Sequence, residues 1–439
     1  MDLFSQRLLN DGVRKREVFG WAMYDFANSG YTTVVLTAVF NAYFVSVVAQ
    51  GAAWGTLAWT LAIAASSLIV MVTLPAVGAH ADLRASKKRL LAGCTVACVG
   101  GTFALAGAGP GDLWLAVLAI VVSNVAYSYG ESLTAAFLPE LARPEAFGRV
   151  SGWGWSFGYL GGMLALGLSL AYVLAAQARD EPATAFVPVT MAITAVIYAL
   201  ASLATFTLLR ERAVPQMSSG TGTGTRTRVG ASLARLANTW REARRYRDFC
   251  WLLACGACYQ AGIAVVVTLA AVYAEQALGF KQAYTMLLIF VVNIAAATGA
   301  FAFGYWQDRI GHKPALALTL VGWIGMTVLA VLATGPGLFW VAALLAGLCM
   351  GSSQSAGRAM AGLFCPSDRR GEFFGLWTFA TRASAVVGPL TFGLITWLTD
   401  GNQRLAMGCT AVFFVGGLLL LTQVNMARGA RAALPEGNA

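Results

Sequence analysis

The chain has 439 residues, of which 58% are hydrophobic and 11% are charged, and its formal net charge is +10. Soluble domains carry about a quarter of charged residues, so the composition excludes a water-soluble globular protein and predicts a polytopic membrane protein. Loops on the cytoplasmic side of a membrane explain the basic balance, and no nucleic-acid partner is expected.

Twelve apolar stretches are long enough to cross a bilayer, since a helical span needs about 20 residues. They predict an all-α membrane protein with six spans on each side of a long polar loop. The first stretch is too long for the core of a signal peptide and no small-residue cleavage site follows it. In chain order the predicted spans cover about 18–48, 54–79, 90–108, 113–138, 150–176, 185–209, 249–277, 283–306, 314–334, 338–364, 373–398 and 404–425.

The basic residues predict the orientation of these spans. If the N-terminus is cytoplasmic, 25 of the 30 Lys and Arg residues fall in cytoplasmic segments and three fall in outer loops, at Arg179, Lys281 and Arg404. Because cytoplasmic loops carry the excess of positive charge, both termini are expected in the cytoplasm. The expected location is the bacterial cytoplasmic (inner) membrane, with the lipid bilayer as a partner.

The same pattern predicts five regions: an N-terminal tail over 1–17, a six-helix bundle over 18–209, a linker over 210–248, a second six-helix bundle over 249–425 and a C-terminal tail over 426–439. The linker begins with the flexible composition "SSGTGTGTRTR" and ends with "ASLARLANTWREARRYRD". The second stretch places Leu233, Leu236 and Trp240 at helical spacing among arginines. It fits a basic amphipathic helix on the inner leaflet and equally a solvated linker helix.

The two halves repeat each other at a nearly constant offset. Three residues after the second span recur 226 positions later, so that Gly78, Asp82 and Lys87 match Gly304, Asp308 and Lys313. Four further residues recur 227 positions later, so that Pro139, Glu145, Gly148 and Gly161 match Pro366, Glu372, Gly375 and Gly388. Because six spans separate the copies, the repeat is parallel, which is the arrangement of the major facilitator fold with its two six-helix bundles.

The repeated loops resemble the cytoplasmic G-x-x-x-D-R-x-G-[RK] signature of the major facilitator superfamily. The second copy, "GYWQDRIGHK", includes Arg309 and is close to the full pattern, whereas "GAHADLRASKKR" has Leu83 and Ala85 at the Arg and Gly positions. The resemblance implies that Asp82 and Asp308 each meet the N-terminus of a helix from the opposite half. A carboxylate is favoured there by about 0.3–1 kcal/mol. We therefore predict a gating role for this motif, with a simple loop turn as the alternative.

Four ionisable residues lie inside predicted spans, where they are costly and usually functional. They are Asp25, Glu131, Arg358 and Arg382. Counted from the span ends at 1.5 Å per residue, all four lie roughly 9–14 Å from the inner surface. The first half thus contributes two acids and the second half two bases, and Glu131 and Arg358 are repeat mates. They are expected to face each other across a central cavity, either as a substrate and coupling site or as an ion-pair latch between the halves.

Neutral polar residues on the same predicted spans extend the candidate site. They are Asn28, Tyr127, Gln260 and Gln354, although such residues also hold transmembrane helices together. Cys255 and Cys258 have the spacing of a redox or zinc motif, but they lie in an apolar span and are interpreted as packing residues. No metal and no cofactor are expected.

Three longer blocks make the resemblance narrower: "YDFANSGYTTVV", "FLPELARPEAFGRVSGWGWSFGYLGG" and "GSSQSAGRAMAGLFCPSDRRGEFFGLWTFATRASAVVGPLTFGLI". Together they resemble the vacuole-effluxer-like family of major facilitators, which includes the autophagy-related amino-acid effluxers of fungal vacuoles. The resemblance implies alternating access, a monomer, and matches at Asp25, Asn28, Gln354, Arg358 and Arg382. The chain departs from the pattern at Gln260, where the family often has an aspartate, and at Ala135, where it often has an asparagine.

These observations predict a secondary active transporter and not an enzyme. The expected substrate is a small polar solute, an amino acid or a related zwitterion or anion, exported by rocker-switch movement of the two bundles and coupled to protons through Asp25 or Glu131. No nucleotide-binding G-x-x-x-x-G-K-[ST] loop is present, so gradients must drive transport. Two alternatives remain open: a transporter of amphipathic lipids or drugs, and a receptor or assembly protein that keeps the fold without transport.

Overall fold

The structure is a computed structural model in which residues 5–52, 54–213, 215, 245–278, 282–400 and 402–434 are described. At 56, 268–278, 282–286, 393 and 397 only the backbone is described, and the same holds at 403. The predicted amphipathic helix of the linker falls largely in 216–244 and so lies outside the described residues.

The described chain is built almost wholly of helices, and twelve of them are long and apolar enough to cross a membrane. This confirms the predicted all-α membrane fold. The long helices are α1 (Lys15–Tyr31), α2 (Gly55–Arg84), α3 (Lys87–Ala106), α4 (Leu113–Ala135), α5 (Phe147–Gln177), α6 (Ala183–Leu208), α7 (Arg247–Leu278), α8 (Gln282–Ile310), α9 (His312–Leu332), α10 (Pro336–Leu363), α11 (Arg370–Leu398) and α12 (Gln403–Cys409 with Ala411–Thr422).

The first span does not continue as a regular α-helix beyond Tyr31. It proceeds through π-helical turns at Thr32–Ala38, a short α-helix at Phe40–Tyr43 and further π-helical turns at Phe44–Val48. Phe40 and Phe44 pack against Trp59 of α2, with ring centroids 6.2 and 5.4 Å apart. The π-helix is rare, occurs mostly as single turns within α-helices and is frequent at functional sites.

Helices α2 and α8 are longer than the apolar periodicity predicts, because their last turns are polar. Asp82 and Asp308 therefore lie in the final helical turns and not in loops. The two histidines, which the hydropathy pattern places in loops, are also helical: His80 lies in α2, and His312 is the first residue of α9. We call the end of the bundle at which α2 and α8 finish the charged end.

Buried apolar side chains form two clusters, one largely in each half of the chain. The halves meet where α2 packs against α11 and α5 packs against α8. These contacts are backbone to backbone at the charged end. A Cβ atom on Gly78 would lie 2.1 Å from the carbonyl oxygen of Gly371, and one on Gly152 would lie 2.4 Å from that of Ala300. Glycine at these positions lets the helices approach closely.

Candidate functional site

The four ionisable residues predicted inside spans form two ion pairs between the halves, and the first joins Asp25 of α1 to Arg358 of α10. Arg358 Nη1 lies 2.6 Å from Asp25 Oδ2, and the two side chains are only 7% and 11% exposed. The other two guanidinium nitrogens are also hydrogen-bonded. Its Nε donates to Ser151 Oγ at 3.0 Å, and its Nη2 donates to the Ser151 carbonyl oxygen at 2.7 Å. A buried arginine with this many partners is held in one geometry. We call it the sealed pair.

Aromatic rings and a glycine enclose the sealed pair. The Arg358 guanidinium lies 4.7 Å from the ring centroid of Trp21 and 5.4 Å from that of Trp155, within the range of cation–π attraction. A Cβ atom on Gly154 would lie 2.4 Å from Asp25 Oδ2 and 2.5 Å from Arg358 Nη2. Only a glycine leaves room for both charged groups at this position.

The second pair joins Glu131 of α4 to Arg382 of α11, and its surroundings are different. Arg382 Nη2 lies 3.1 Å from Glu131 Oε2, but the two side chains keep 16% and 35% of their surface exposed. Below the guanidinium lies the ring of Tyr127, 5.4 Å away, which stacks on Tyr31 at a centroid distance of 5.4 Å. We call this the open pair.

In the internal repeat, one contact partner of each arginine is equivalent to the other arginine. An offset of 227 connects Glu131 to Arg358 and also connects Trp155 to Arg382. The contact of Arg382 with Glu131 therefore has the same place in the repeat as the contact of Arg358 with Trp155. In one copy the arginine meets a carboxylate, and in the other it meets an indole ring. The two halves thus differ in chemistry at this repeated contact.

At the charged end, both predicted aspartates bind the N-terminus of a helix from the opposite half. Asp82 accepts hydrogen bonds from the backbone N–H groups of Gly371 and Glu372 at 2.9 and 3.0 Å, where α11 begins. Asp308 accepts from Gly148 and Arg149 at 2.9 and 3.2 Å, where α5 begins, and pairs with Arg149 Nε at 2.8 Å. The first N–H groups of a helix are free to bind an anion, and the helix dipole strengthens that contact.

The two repeated lysines have different partners. Lys87 is buried and pairs with Glu140, whereas Lys313 donates to the carbonyl oxygens of Thr422 and Val424 at 3.0 and 2.7 Å, at the end of α12. Arg309 is exposed and takes no part in the Asp308 contact. Gly304 packs against the Gly148 backbone. Of the predicted gating residues, Asp82 and Asp308 thus join the halves by hydrogen bonds, and Gly78 and Gly304 join them by backbone packing.

The neutral polar residues divide into separate contacts. Asn28 Oδ1 accepts a hydrogen bond from Tyr198 Oη at 2.7 Å, within the first half. Gln260 and Gln354 pair through their amides at 2.7 and 3.1 Å, within the second half. In the hydrogen bonds resolved for them, these three side chains do not join either ion pair. Tyr127 is the member of this predicted set whose ring lies against a charged group of the site, the Arg382 guanidinium.

Several residues of the site have weak signals in the sequence. Trp21 precedes Asp25 by one helical turn, and that spacing is a usable signal for a shared face. Ser151 and Trp155 carry no charge and lie in a glycine-rich span that reads as close packing. Glu140 lies on the short helix Leu138–Leu141 and is 5% exposed, although its position at the end of a span suggests a solvated loop.

A metal centre finds no support in the part of the chain that the structure describes. There, no group of three or more His, Cys, Asp or Glu residues is placed to hold a metal ion. Cys255 is buried, and its Sγ contacts the Gly417 carbonyl oxygen at 3.2 Å. This contact fits a packing role for the Cys255-x-x-Cys258 motif.

The fold is that of the major facilitator superfamily of transporters. The human organic anion transporter MFSD10 (TETRAN) has a similar structure, with a TM-score of 0.73 and 15% identity over 93% of this chain and 99% of that one. The transporter FucP in its outward conformation gives a TM-score of 0.67 and 15% identity over 93% and 98%. These likenesses establish the fold.

The sequence identifies the family within that superfamily. The family model of the vacuole effluxer Atg22 like proteins matches residues 57–147 and 145–434, so the chain belongs to this family. An uncharacterized MFS-type transporter of Bacillus subtilis, YxiO, is 27% identical over 92% of this chain and 94% of its own length. Autophagy-related protein 22-1 of Penicillium rubens is 25% identical over 66% of this chain, which spans about half of that relative (51%). The protein is an integral membrane transporter of this fold.

Proposed function

We propose that this transporter exports a small polar solute, an amino acid or a related zwitterion or anion, across a bacterial cytoplasmic membrane by alternating access. The open pair carries the proposal. Arg382 offers a carboxylate or phosphate group two parallel donors, and Glu131 offers an ammonium group an acceptor. The partial exposure of both side chains supports access for a solute, which would exchange with the ion pair itself.

The sealed pair takes a different role in this proposal. Asp25 and Arg358 already satisfy each other, and Ser151, Trp21 and Trp155 occupy the remaining faces of the guanidinium. A solute would have to displace several buried contacts to reach Arg358. We therefore assign the sealed pair to the latch between the halves and the open pair to solute binding. We also propose Asn28, Gln260 and Gln354 as secondary binding residues, whose side chains would change partners when solute enters.

The contacts at the charged end indicate which side of the transporter is closed. With both termini in the cytoplasm, the charged end faces the cytoplasm, and the contacts of Asp82 and Asp308 close it. In the rocker-switch cycle these contacts break when the bundles tilt, so that solute enters from the cytoplasm. Glu131 is the proposed proton carrier, because it is the more exposed of the two carboxylates that lie within the ion pairs.

The test is a thermal-shift screen of the purified protein against amino acids, small peptides, organic acids and phosphates at two pH values, followed by counterflow of each hit in proteoliposomes. We expect hits that carry an anionic group and expect Arg382→Met to lose both the shift and the counterflow. Arg179→Met is the matched control, since Arg179 forms an exposed ion pair with Glu181 at 2.7 Å, away from the site.

Other outcomes would replace the proposal. Binding without counterflow would favour a receptor or assembly protein. Hits confined to amphipathic lipids or drugs would favour a different cargo. Counterflow that is unchanged in Arg382→Met would remove the open pair from the solute path.

A further inference from the structure

The N-terminal segment Ser5–Val13 is docked on the charged end of the first bundle. It contains a short 3₁₀-helix at Gln6–Leu8 and pairs as an isolated antiparallel bridge between Leu9 and Ala142. The N–H of Asn10 donates to the Leu141 carbonyl at 3.1 Å, and the N–H of Arg143 donates to the Leu8 carbonyl at 3.0 Å. Leu9 and Val13 are buried, at 3% and 1% exposure.

Side chains add further contacts on both sides of this bridge. Asn10 Nδ2 donates to the Pro139 carbonyl oxygen at 3.0 Å. Arg143 donates from Nε to the Leu9 carbonyl oxygen at 3.2 Å and pairs with Asp11 at 2.9 Å. Arg212 Nη2 donates to the Gly12 carbonyl oxygen at 2.9 Å. Backbone and side chains together fix the segment to residues 139–143.

The anchored residues flank Glu140, a buried carboxylate at the seam between the bundles. Within its own half, Glu140 pairs with Lys87 and accepts a hydrogen bond from the N–H of Arg212 at 3.3 Å. Across the seam, its Oε1 lies 3.6 Å from Nη1 of Arg370, the first residue of α11. The same turn of α11 binds Asp82. Glu140 thus adds a cross-seam ion pair beside the Asp82 contact.

Arg212 links this carboxylate to the start of the first helix. It binds Glu17 through both terminal nitrogens, at 2.8 and 2.9 Å, and this hydrogen bonding raises the pKa of the Arg212 guanidinium. Its backbone N–H meets Glu140, and its Nη2 meets Gly12. Arg212 therefore connects the docked segment and the start of α1 to Glu140.

We propose that Ser5–Val13 forms an N-terminal strap that positions Glu140 opposite Arg370 and so stabilises the closed charged end. Asn10 and Arg143 are its positioning residues. Release of the strap frees residues 139–143, and Glu140 then moves with them away from the seam. The proposal rests on the proposed transport cycle, because the strap biases one of its two arrangements.

The test uses hydrogen–deuterium exchange of the full-length protein, read at the first two turns of α11 (370–376), which belongs to the opposite bundle. We expect Asn10→Ala and the same-sized Asn10→Asp to speed exchange there about fivefold, the effect of losing one net hydrogen bond. Arg7→Ala is the matched control, because Arg7 is an exposed residue of the same segment. Its exchange pattern at α11 should equal that of the unchanged protein.

Glu140→Gln tests whether the strap acts on α11 through the Glu140 carboxylate. It should speed exchange at 370–376 with the strap intact, and adding Asn10→Ala should give no further increase, since both changes act through one contact. Faster exchange that is confined to 5–13 and 138–143 would overturn the proposal. It would also be overturned if the increase in exchange rate at 370–376 in the double variant equalled the product of the two single increases. The exchange is read without substrate, so its result is independent of whether the solute screen succeeds.

Discussion

The sealed pair and the open pair contain the same kinds of charged group and both connect the two bundles, yet their surroundings differ. Asp25 and Arg358 are 11% and 7% exposed and share hydrogen bonds and indole faces with three further residues. Glu131 and Arg382 rest on one tyrosine and stay partly exposed. The comparison teaches that charge inside a membrane span locates a site but does not define its role. The difference in accessible surface is the reason for proposing a latch at the sealed pair and solute binding at the open pair.

The largest expected effect comes from removing the sealed arginine. Arg358→Met leaves Asp25 buried without its partner, which costs about 3–5 kcal/mol of stability in comparable buried pairs. Thermal unfolding of the detergent-purified protein measures this loss. Because the cost comes from the stranded charge, Asp25→Asn added to Arg358→Met should restore much of it. If Arg358→Met alone is as stable as the unchanged protein, the pair is not sealed.

A smaller effect is expected at the glycine between the two sealed charges. Gly154→Ala puts a methyl group 2.4 Å from Asp25 Oδ2, and overpacking of this kind costs about 1–3 kcal/mol. Gly100→Ala in α3 is the control, since no atom lies within 4 Å of the added Cβ and alanine favours a helix interior. Equal unfolding temperatures for the two variants would contradict the tight packing around Asp25.

The next largest loss of stability is expected when an aromatic ring over Arg358 is removed. Trp155→Leu removes one of the two rings over Arg358 and should cost about 0.5–2 kcal/mol, the range of cation–π contacts from exposed to desolvated sites. Trp155→Phe keeps a weaker ring in place and should lose less. Chemical unfolding monitored by intrinsic fluorescence orders the variants, and the reverse order would argue against a cation–π contribution.

The smallest effect on stability is expected at the open pair, together with the largest effect on transport. Glu131→Gln removes one charge of a partly exposed ion pair, and such pairs contribute about 0–1 kcal/mol. The unfolding temperature should therefore change little, whereas transport driven by a pH gradient should fall further than counterflow of the same solute, which needs no proton step. If both transport modes keep their normal rates, Glu131 does not carry the proton.

Sequence reasoning was most successful where a physical rule acts on whole segments. Hydropathy and length predicted the twelve spans, and the offset of 226–227 predicted a parallel repeat, because both depend on many residues at once. The ends of α2 and α8 were harder to predict, since their last turns are polar and hydropathy reads them as loops. Asp82 and His80 are the clearest examples of residues placed one turn too far out.

The pairing of the four charges was beyond the sequence for a different reason. The count along each span estimates depth, but the partner of each group depends on the rotation of its helix. Asp25 is at the same estimated depth as Glu131, and nothing in the spacing indicates that Arg358 binds the former and Arg382 the latter. Glu140 was missed because its partners Lys87, Arg212 and Arg370 are at least 53 residues away from it in the sequence.

The π-helical turns of the first span have a consequence for the part of the molecule that lies away from the charged end. A π-helical turn holds more residues than an α-helical turn, so side chains beyond Ala38 face another direction than a continuous α-helix would give them. Rewinding Thr32–Ala38 into α-helical form would swing Phe40 and Phe44 around the helix axis and away from Trp59, while Asp25 keeps its place below. The contact of Phe40 and Phe44 with Trp59 therefore depends on the π-helical turns that lie between these rings and the buried Asp25.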